Sequence, residues 1–248
     1  MINIKDLSYL NILKNISVNI PKGDITFIVG KNGSGKSTIL RCINSLIKDY
    51  TGEINIDGKN ITDISRKEFA RKVCYIPQKT FINYDIEVNE FLNFSRYSHI
   101  TNRNLDKELI NNALELTDML DLKNRNVRTL SGGEFQKLML ASAIVQDSYY
   151  LILDEPGTAL DPGAENGFIS LLSTIIKDTE KTAIVISHNM NHVLNMADNI
   201  IALDDGRIIF KGNSEEFKDN MLSDLYGVEF HVFKNNNGEY ICHPTKIL

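Results

Sequence analysis

Short runs of alternating apolar and polar residues fill much of the first third of the chain. Segments 2–7 and 16–20 alternate in this way, whereas 25–29 is continuously apolar. Alternation predicts strands with one covered face, and a continuous apolar run predicts a strand buried on both faces. By the same criteria, segments 52–57 and 72–77 are two more strands. The N-terminal part therefore predicts several half-buried strands and one strand buried on both faces.

Helical periodicity replaces alternation in the middle of the chain. Helical segments are predicted over 37–47 and 66–71, and apolar residues recur at spacings of three and four between about 87 and 146. Examples of the spacing are Leu109, Ala113, Leu116 and Leu120, and Leu138, Ala141, Ser142 and Val145. We expect a helical subdomain over approximately 87–146.

Strands return in the last third, separated by helical patterns. They are predicted over 149–153, 182–187 and 199–203, and two short strands flank a turn within 229–244. Alternating strands and helices indicate a mostly parallel sheet, hence the α/β class. A chain of 248 residues suits one such domain, 1–248, with 229–248 as a short C-terminal tail.

Composition narrows the class of protein. Apolar residues make up 42% and charged residues 24%, as in soluble globular proteins. The formal net charge of −5 disfavours a broad nucleic-acid-binding surface. No segment approaches the roughly 20 apolar residues of a membrane span, and residues 1–10 do not resemble a signal peptide. The cysteines, at 42, 74 and 242, are too scattered to predict disulfides or a zinc site.

A glycine-rich segment, GKNGSGKS at 30–37, follows the strand 25–29 and precedes a predicted helix. It matches the phosphate-binding loop GxxxxGK[ST], in which backbone N–H groups surround phosphates. Lys36 is expected on the outer phosphates of a nucleoside triphosphate, and Ser37 on Mg²⁺. The predicted nucleotide-binding residues of this loop are Gly30, Asn32, Gly33, Ser34, Gly35, Lys36, Ser37 and Thr38.

Two carboxylates, Asp154 and Glu155, follow the predicted buried strand 149–153. Ligands bind at the carboxyl ends of strands in open α/β sheets, so Asp154 is expected to hold Mg²⁺ and Glu155 to act as general base toward water. An isolated pair of this kind is more often a charged turn. The phosphate-loop motif upstream favours the catalytic interpretation.

The sequence LSGGE at 130–134 fits a capping box, with Ser131 as N-cap and Glu134 three residues later. Because it lies between the phosphate loop and Asp154-Glu155, it also resembles the signature of the ABC ATPase family. The resemblance covers nearly the whole chain, and it implies a mostly parallel core sheet with an N-terminal antiparallel β subdomain and a helical subdomain. It implies ATP and Mg²⁺ as ligands, and a head-to-tail dimer in which Ser131, Gly132 and Gly133 contact the nucleotide of the second copy.

Further positions match the family's motifs in order along the chain. Tyr9 corresponds to the aromatic residue that stacks on adenine, Gln78 to the Q-loop glutamine near Mg²⁺ and the attacking water, Asp161 to the D-loop, and His188 to the switch histidine. Two of these residues also have interpretations without a ligand: Tyr9 as a packed core aromatic, and Gln78 as a surface residue after a strand. A zinc pair of His188 with His192 is disfavoured because no third ligand is evident.

Three positions depart from the family's usual pattern. Gly157 stands where threonine is common, Asn189 where aspartate is common after the histidine, and Ser142 where arginine is common. None is a core catalytic position. The residues implied in catalysis, Gln78, Glu155 and His188, are all present, which argues against a regulatory module that binds ATP without turnover.

The resemblance implies a peripheral subunit at the cytoplasmic face of the membrane, partnered by permease subunits and indirectly by a substrate-binding protein. Segment 86–100 resembles the part of related subunits that receives the permease's coupling helix, although Phe91, Leu92 and Phe94 also fit a subdomain core. The layout resembles importer ATPases for iron-siderophore, haem or vitamin B12. Alternatives are a motor for another small ligand, and a soluble ABC ATPase acting on nucleic acid or the ribosome.

Overall fold

The computed structural model describes residues 1–78, 82, 84–99, 102–157 and 160–247. Its strands are β1 (Ile2–Tyr9), β2 (Leu13–Ile20), β3 (Ile25–Gly30), β4 (Thr51–Ile56), β5 (Lys59–Asn60), β6 (Val73–Ile76), β7 (Tyr150–Asp154), β8 (Thr182–Ile186), β9 (Asn199–Asp204), β10 (Arg207–Asn213), β11 (Val228–Lys234) and β12 (Tyr240–Ile247). Its α-helices are α1 (Lys36–Ile43), α2 (Arg66–Lys72), α3 (Val88–Ser95), α4 (Arg103–Leu116), α5 (Gly132–Gln146), α6 (Pro162–Thr179), α7 (Met190–Met196) and α8 (Asp219–Tyr226). None of the helices in the described residues is long and apolar enough to cross a membrane.

The chain divides into two compact units, the first formed by Met1–Ile64 with Thr182–Leu248 and the second by Ser65–Lys181. The first unit contains an antiparallel sheet in the order β2-β1-β4-β5. Ile2 lies opposite both Ile20 and Ile56. All three of these side chains are buried, as expected for the covered face of a half-buried antiparallel sheet. The antiparallel β subdomain is therefore present.

The first unit also contains the order β10-β9-β3-β8. β3 pairs parallel with β8 on one side and with β9 on the other, and β10 is antiparallel to β9. Every residue of β3 is buried, because a central parallel strand is covered on both faces. The phosphate-loop motif follows the carboxyl end of β3, and His188 follows that of β8.

In the second unit β6 and β7 pair parallel, with Val73 opposite Tyr150 and Ile76 opposite Leu153. Gln78 follows β6, and Glu155 follows β7, so both leave the carboxyl ends of neighbouring strands. Helices α3, α4 and α5 enclose one apolar cluster. Its buried members are Val88, Leu92, Ile110, Ala113, Leu114, Met119, Val127, Leu138, Ala141 and Val145.

The strands expected from the sequence are all present, with bounds shifted by a few residues, and the α/β class with mostly parallel core pairing is confirmed. The helix expected over 37–47 ends at Ile43, because Ser45 adopts a left-handed conformation with φ of 54°. Three of these strands and helices were not predicted: β5, β10 and α8. The single domain 1–248 with its subdivision at 87–146 and 229–248 stays a prediction.

Candidate functional site

The phosphate-loop motif needs glycine at its first and sixth positions for steric reasons. Gly30 has φ of +148°, and a Cβ there would lie 2.2 Å from the carbonyl oxygen of Leu203. Gly35 has φ of +102°, and its Cβ would lie 2.7 Å from a methyl group of Leu13. Any other residue would collide with its neighbours at either position. The loop can therefore bring its backbone N–H groups close to a ligand, as phosphate binding requires.

Lys36 folds back over this loop. Its side chain is buried, and Nζ donates to the carbonyl oxygens of Gly30 at 2.8 Å and of Lys31 at 2.9 Å. The hydroxyl oxygen of Ser34 is also buried, and no partner for it is found in the described part of the chain. A buried ammonium and a buried hydroxyl beside the N-terminus of α1 fit a phosphate group.

Two contacts that sequence reasoning missed hold the loop from outside. The N–H of Gly30 donates to the hydroxyl of Tyr226 at 3.3 Å, at the last residue of α8. Burial raises the pKa of Tyr226 to about 12, so the phenol stays neutral. The N–H of Gly206 donates to the carbonyl oxygen of Ser34 at 3.2 Å. Both partners are about 170 residues or more from the loop in sequence, so no local pattern signals them.

Tyr9 and His188 also belong to the first unit. Tyr9 ends β1, is partly exposed and pairs with Leu13, whose side chain is the one that approaches Gly35. Tyr9 is thus accessible near the loop, as adenine stacking requires, and is not a fully packed core residue. His188 is exposed directly after β8. The roles of both residues stay predictions.

The second unit brings together the carboxylates and Gln78. Asp154 is the last residue of β7, is buried, and accepts a hydrogen bond from the hydroxyl of Tyr75 at 3.3 Å. Nε2 of Gln78 donates to Oε2 of Glu155 at 2.5 Å. Glu155 has a left-handed backbone with φ of 50°, an uncommon conformation that is concentrated at functional sites. Gln78 is therefore not an isolated surface side chain.

The donor set predicted for Mg²⁺ is a hydroxyl from Ser37, an amide from Gln78 and a carboxylate from Asp154. These are hard oxygen donors of the kind that Mg²⁺ prefers. Within the described ranges there is no group of three or more His, Cys, Asp or Glu that could hold a metal ion. Mg²⁺ is commonly held by one or two carboxylates together with substrate phosphates and water.

The LSGGE segment forms the capping box that its sequence predicts. The hydroxyl of Ser131 accepts from the N–H of Glu134 at 3.3 Å, and Oε2 of Glu134 accepts from the N–H of Ser131 at 2.7 Å. The hydrogen bond from Ser131 and the neighbouring Arg125 lower the pKa of Glu134. Ser131 and Gly132 are exposed, so the positive end of α5 faces solvent and can receive an anion. Capping and ligand binding are compatible here.

Asp161 caps the following helix. Its Oδ1 accepts hydrogen bonds from the N–H groups of Gly163 and Ala164, both at 3.0 Å. This gives Asp161 a structural role at the start of α6. Its role in binding nucleotide across a dimer stays a prediction.

The three departures from the family's pattern have local structural roles. A Cβ at Gly157 would lie 2.7 Å from Cγ of Glu165, so glycine leaves room for that side chain. The hydroxyl of Ser142 lies 2.9 Å from that of Ser95. Asn189 is the N-cap of α7. Because His188 precedes this cap and is exposed whereas His192 is inside the helix and buried, the two histidines do not share a helical face.

Comparison of the sequence with known families agrees with these features. The profile of the ABC transporter family matches residues 13–158. The petrobactin import ATP-binding protein YclP of Bacillus subtilis (strain 168) is 34% identical over 224 residues, which are 89% of this chain and 89% of the relative. The ferric enterobactin transport ATP-binding protein FepC of Escherichia coli (strain K12) is 32% identical over 222 residues, 88% of this chain and 82% of the relative.

Solved structures resemble the fold over most of its length. A metal-chelate type ABC transporter in an inward-facing conformation matches with a TM-score of 0.84 at 21% identity, over 100% of this chain and 97% of that one. The dimeric bacterial ABC transporter cassette MJ0796 matches with a TM-score of 0.76 at 25% identity, over 86% of this chain and 99% of that one. Together with the sequence matches, these likenesses show that the chain belongs to the ABC transporter family as an ATP-binding, ATP-hydrolysing subunit.

Proposed function

We propose that this chain is the motor of a membrane importer for iron-chelate compounds of the siderophore class, with haem and cobalamin-type compounds as the next candidates. The single observation that carries the proposal is the agreement of relatives that match most of the chain, since YclP is named as a petrobactin import protein and FepC as a ferric enterobactin transport protein. A motor for another small ligand would have the same site, because the ATPase does not touch the cargo.

In the proposed mechanism the first unit binds ATP. Tyr9 stacks on the adenine, and the loop N–H groups surround the phosphates. Lys36 moves from the carbonyl oxygens of Gly30 and Lys31 to the outer phosphates. Its ammonium thereby exchanges neutral hydrogen-bond acceptors for anionic ones, which bind it more strongly. Thr38 and Ser37 lie in the first turn of α1, where the helix end favours negative charge.

Hydrolysis is assigned to the residues after β7, β6 and β8. Glu155 accepts a proton from the attacking water, and Gln78, which already contacts its carboxylate, orients that water. His188 contacts the γ-phosphate. Ser37, Asp154 and Gln78 would hold Mg²⁺, which would supply charge neutralisation at the phosphates. Phosphoryl transfer depends mainly on such positioning and charge compensation.

A second copy of the chain completes the proposed active unit. Ser131, Gly132 and Gly133 present the free end of α5 to the nucleotide bound by the partner copy, and Asp161 contacts the same interface. MJ0796 has been solved as a dimer, which supports this arrangement. Binding of ATP at both sites favours the closed dimer, and loss of the γ-phosphate releases it.

The permease is proposed to dock on an apolar cavity of about 480 Å³ in the second unit. The cavity is lined by Ile82, Tyr84, Asp85, Ile86, Glu90, Phe91 and Phe94. Phe91, Leu92 and Phe94 also fitted a subdomain core in the sequence. Leu92 is fully buried in the apolar cluster of α3, α4 and α5, and Phe91 packs against that cluster, whereas Phe94 is 63% exposed. An exposed aromatic beside an apolar cavity supports insertion of a partner helix.

With docking of this kind, the chain would be a peripheral subunit at the cytoplasmic face of the membrane, and a substrate-binding protein would act through the permease.

The alternative function is that of a soluble ABC ATPase acting on nucleic acid or the ribosome. The net charge of −5 and the apolar cavity favour the permease over nucleic acid.

The test is reconstitution of the chain with its co-purifying permease in liposomes, with ATP hydrolysis measured as binding proteins loaded with ferric siderophore, haem or cobalamin are added. We expect ferric siderophore to give the largest stimulation. A variant with Glu155→Gln is the control for contaminating ATPases. Stimulation by haem or cobalamin alone would reassign the cargo, and failure to purify with any membrane partner would favour the soluble alternative.

A further inference from the structure

The C-terminal hairpin places two histidines directly opposite each other. β11 and β12 pair antiparallel with His231 opposite His243 and Val232 opposite Cys242. Directly opposed residues have Cβ atoms about 4.5–5.5 Å apart and point to the same face of the ribbon. The two imidazole rings therefore project from neighbouring positions on the same face of the hairpin.

This face is open to solvent, whereas the other face is covered. His231 and His243 are exposed, but Val232 is partly buried and Cys242 is 9% exposed. Because successive side chains of a strand point to opposite faces, the thiol of Cys242 lies on the other face from the histidines. The opposed side chains that are exposed at this position are the two imidazoles, whose nitrogen lone pairs can bind a ligand.

The hairpin backbone is fixed independently of the histidines. Oδ1 of Asn191 accepts from the N–H of Cys242 at 2.7 Å, and the amide of Asn195 bonds both the N–H and the carbonyl oxygen of Tyr240. These contacts from α7 hold β12 in register. The spacing of the two histidines is consequently preset by the fold, which lowers the cost of bringing them together around a ligand.

We propose that His231 and His243 form a binding site for a divalent transition-metal ion, each giving one imidazole nitrogen. Zinc–nitrogen bonds are about 2.0–2.1 Å long, and two rings on opposed strands can converge to that distance by side-chain rotation alone. Water fills the remaining coordination positions. Glu229 lies two residues before His231 on the same exposed face and adds a favourable negative charge.

The number and the type of protein ligands determine which ions the site prefers and how tightly it binds them. Among the described residues no larger metal-binding group exists, so the site offers two protein ligands and holds an exchangeable ion, not a structural one. Imidazole ligands suit zinc, copper and nickel, and affinity follows the order in which Cu²⁺ exceeds both Ni²⁺ and Zn²⁺. This site is separate from the residues proposed for ATP hydrolysis and does not depend on the proposed cargo.

The test uses the full chain without an affinity tag, titrated with CuCl₂, NiCl₂ and ZnCl₂ by calorimetry. We expect one ion per chain, with Cu²⁺ tightest, and exchange broadening of the two imidazole signals in NMR spectra. Loss of a supporting outer-shell partner alone costs roughly 10–100-fold in affinity, so His231→Gln or His243→Gln is expected to weaken binding at least about tenfold.

Two further variants decide the outcome. His188→Gln removes an exposed histidine elsewhere and is expected to leave the metal affinity unchanged. The double variant His231→Gln/His243→Gln is expected to lose the calorimetric transition while its circular dichroism spectrum stays native. Equal binding by the wild type and the double variant would overturn the proposal, and so would loss of binding in His188→Gln.

Discussion

The side-chain amide of Gln78 donates a hydrogen bond to the carboxylate of Glu155, with 2.5 Å between Nε2 and Oε2. The two residues are 77 positions apart, and they meet because each follows the carboxyl end of a parallel strand in the pair β6–β7. The residue proposed to position water is therefore already in contact with the residue proposed to take its proton. The following predictions test this and other relationships.

Replacing Glu155 by Gln should abolish steady ATP hydrolysis while ATP binding persists. The amide keeps the size of the side chain but cannot accept the proton, and general-base catalysis contributes about 10²–10⁴-fold in rate. Phosphate-release assays should show at least about a hundredfold loss of turnover. Gel filtration with ATP should show a stable dimer of the variant. Near-normal turnover would remove Glu155 from its proposed role.

Replacing Lys36 by Ala should weaken ATP binding. Hydrogen bonds to charged groups contribute about 1.5–3 kcal/mol, which corresponds to roughly 10- to 150-fold in affinity. Lys31→Ala is the matched control, because Lys31 lies in the same loop but its side chain is exposed. Direct titration with a fluorescent ATP analogue measures both. Equal affinities for the two variants would contradict the assignment of Lys36.

Replacing Tyr226 by Phe should loosen the phosphate loop from outside. The N–H of Gly30 loses its acceptor, and a neutral hydrogen bond contributes about 0.5–1.5 kcal/mol, so ATP affinity should fall about 2- to 13-fold. Turnover at saturating ATP should change little, which separates positioning from catalysis. Tyr97→Phe, at a tyrosine that is 87% exposed, is the control. A fall in kcat with unchanged KM would argue against this role.

The capping box at α5 should make folding stability sensitive to acid. The pKa of Glu134 is lowered from 4.5 in the folded state, so its contribution is complete above about pH 4.5 and is lost as the pH falls through the lower, folded value. Glu134→Ala should lower the free energy of unfolding at neutral pH by about 0.3–1 kcal/mol, the usual contribution of an acidic side chain in the first turn of a helix. Glu134→Gln can retain the cap without ionising, so its stability should vary less with pH over the same range. Urea unfolding of the three proteins between pH 3 and 7 measures the difference; identical pH profiles for wild type and Glu134→Gln would exclude this contribution.

Replacing Phe94 by Ser should uncouple the ATPase from its permease. The exposed ring lines the apolar cavity, and its removal takes away apolar area that a docked helix would bury. Stimulation of ATP hydrolysis by the permease should fall severalfold, whereas the basal rate of the isolated chain should not change. Phe233→Ser, at a phenylalanine that is 54% exposed in the other unit, is the matched control. Equal stimulation of the two variants would exclude docking at this cavity.

Features that depend on residues close together in the sequence were predicted correctly. The buried run of β3 and the glycines after it identified both the strand and the phosphate loop, and Ser131 with Glu134 predicted a capping box that is present. By contrast, β10 is an edge strand whose residues are all exposed or partly exposed, so its burial contrast is weak. In α8, Leu222 and Leu225 with Gly227 after the helix were a signal that could have been used.

Contacts between distant segments were beyond sequence reasoning. The hydrogen bond from Gly30 to Tyr226 spans 196 positions, and nothing in the residues around Tyr226 distinguishes it from a packed tyrosine. The reason for Gly157 likewise depends on the place of Glu165, which only the fold determines. The order of the motifs along the chain was enough to assign chemical roles to residues. The contacts that position those residues form between segments that are distant in the sequence.

The hydrogen bonds of Lys36 to the carbonyl oxygens of Gly30 and Lys31 also determine how the loop treats the other anions of the cell. Because the ammonium already has partners, an anion must replace them, and chloride or bicarbonate, with a single charge and few acceptor atoms, gains little by doing so. A triphosphate offers several charged oxygens at once to the ammonium and to the surrounding N–H groups. We therefore expect the resting contacts to favour nucleotide over small anions at this loop.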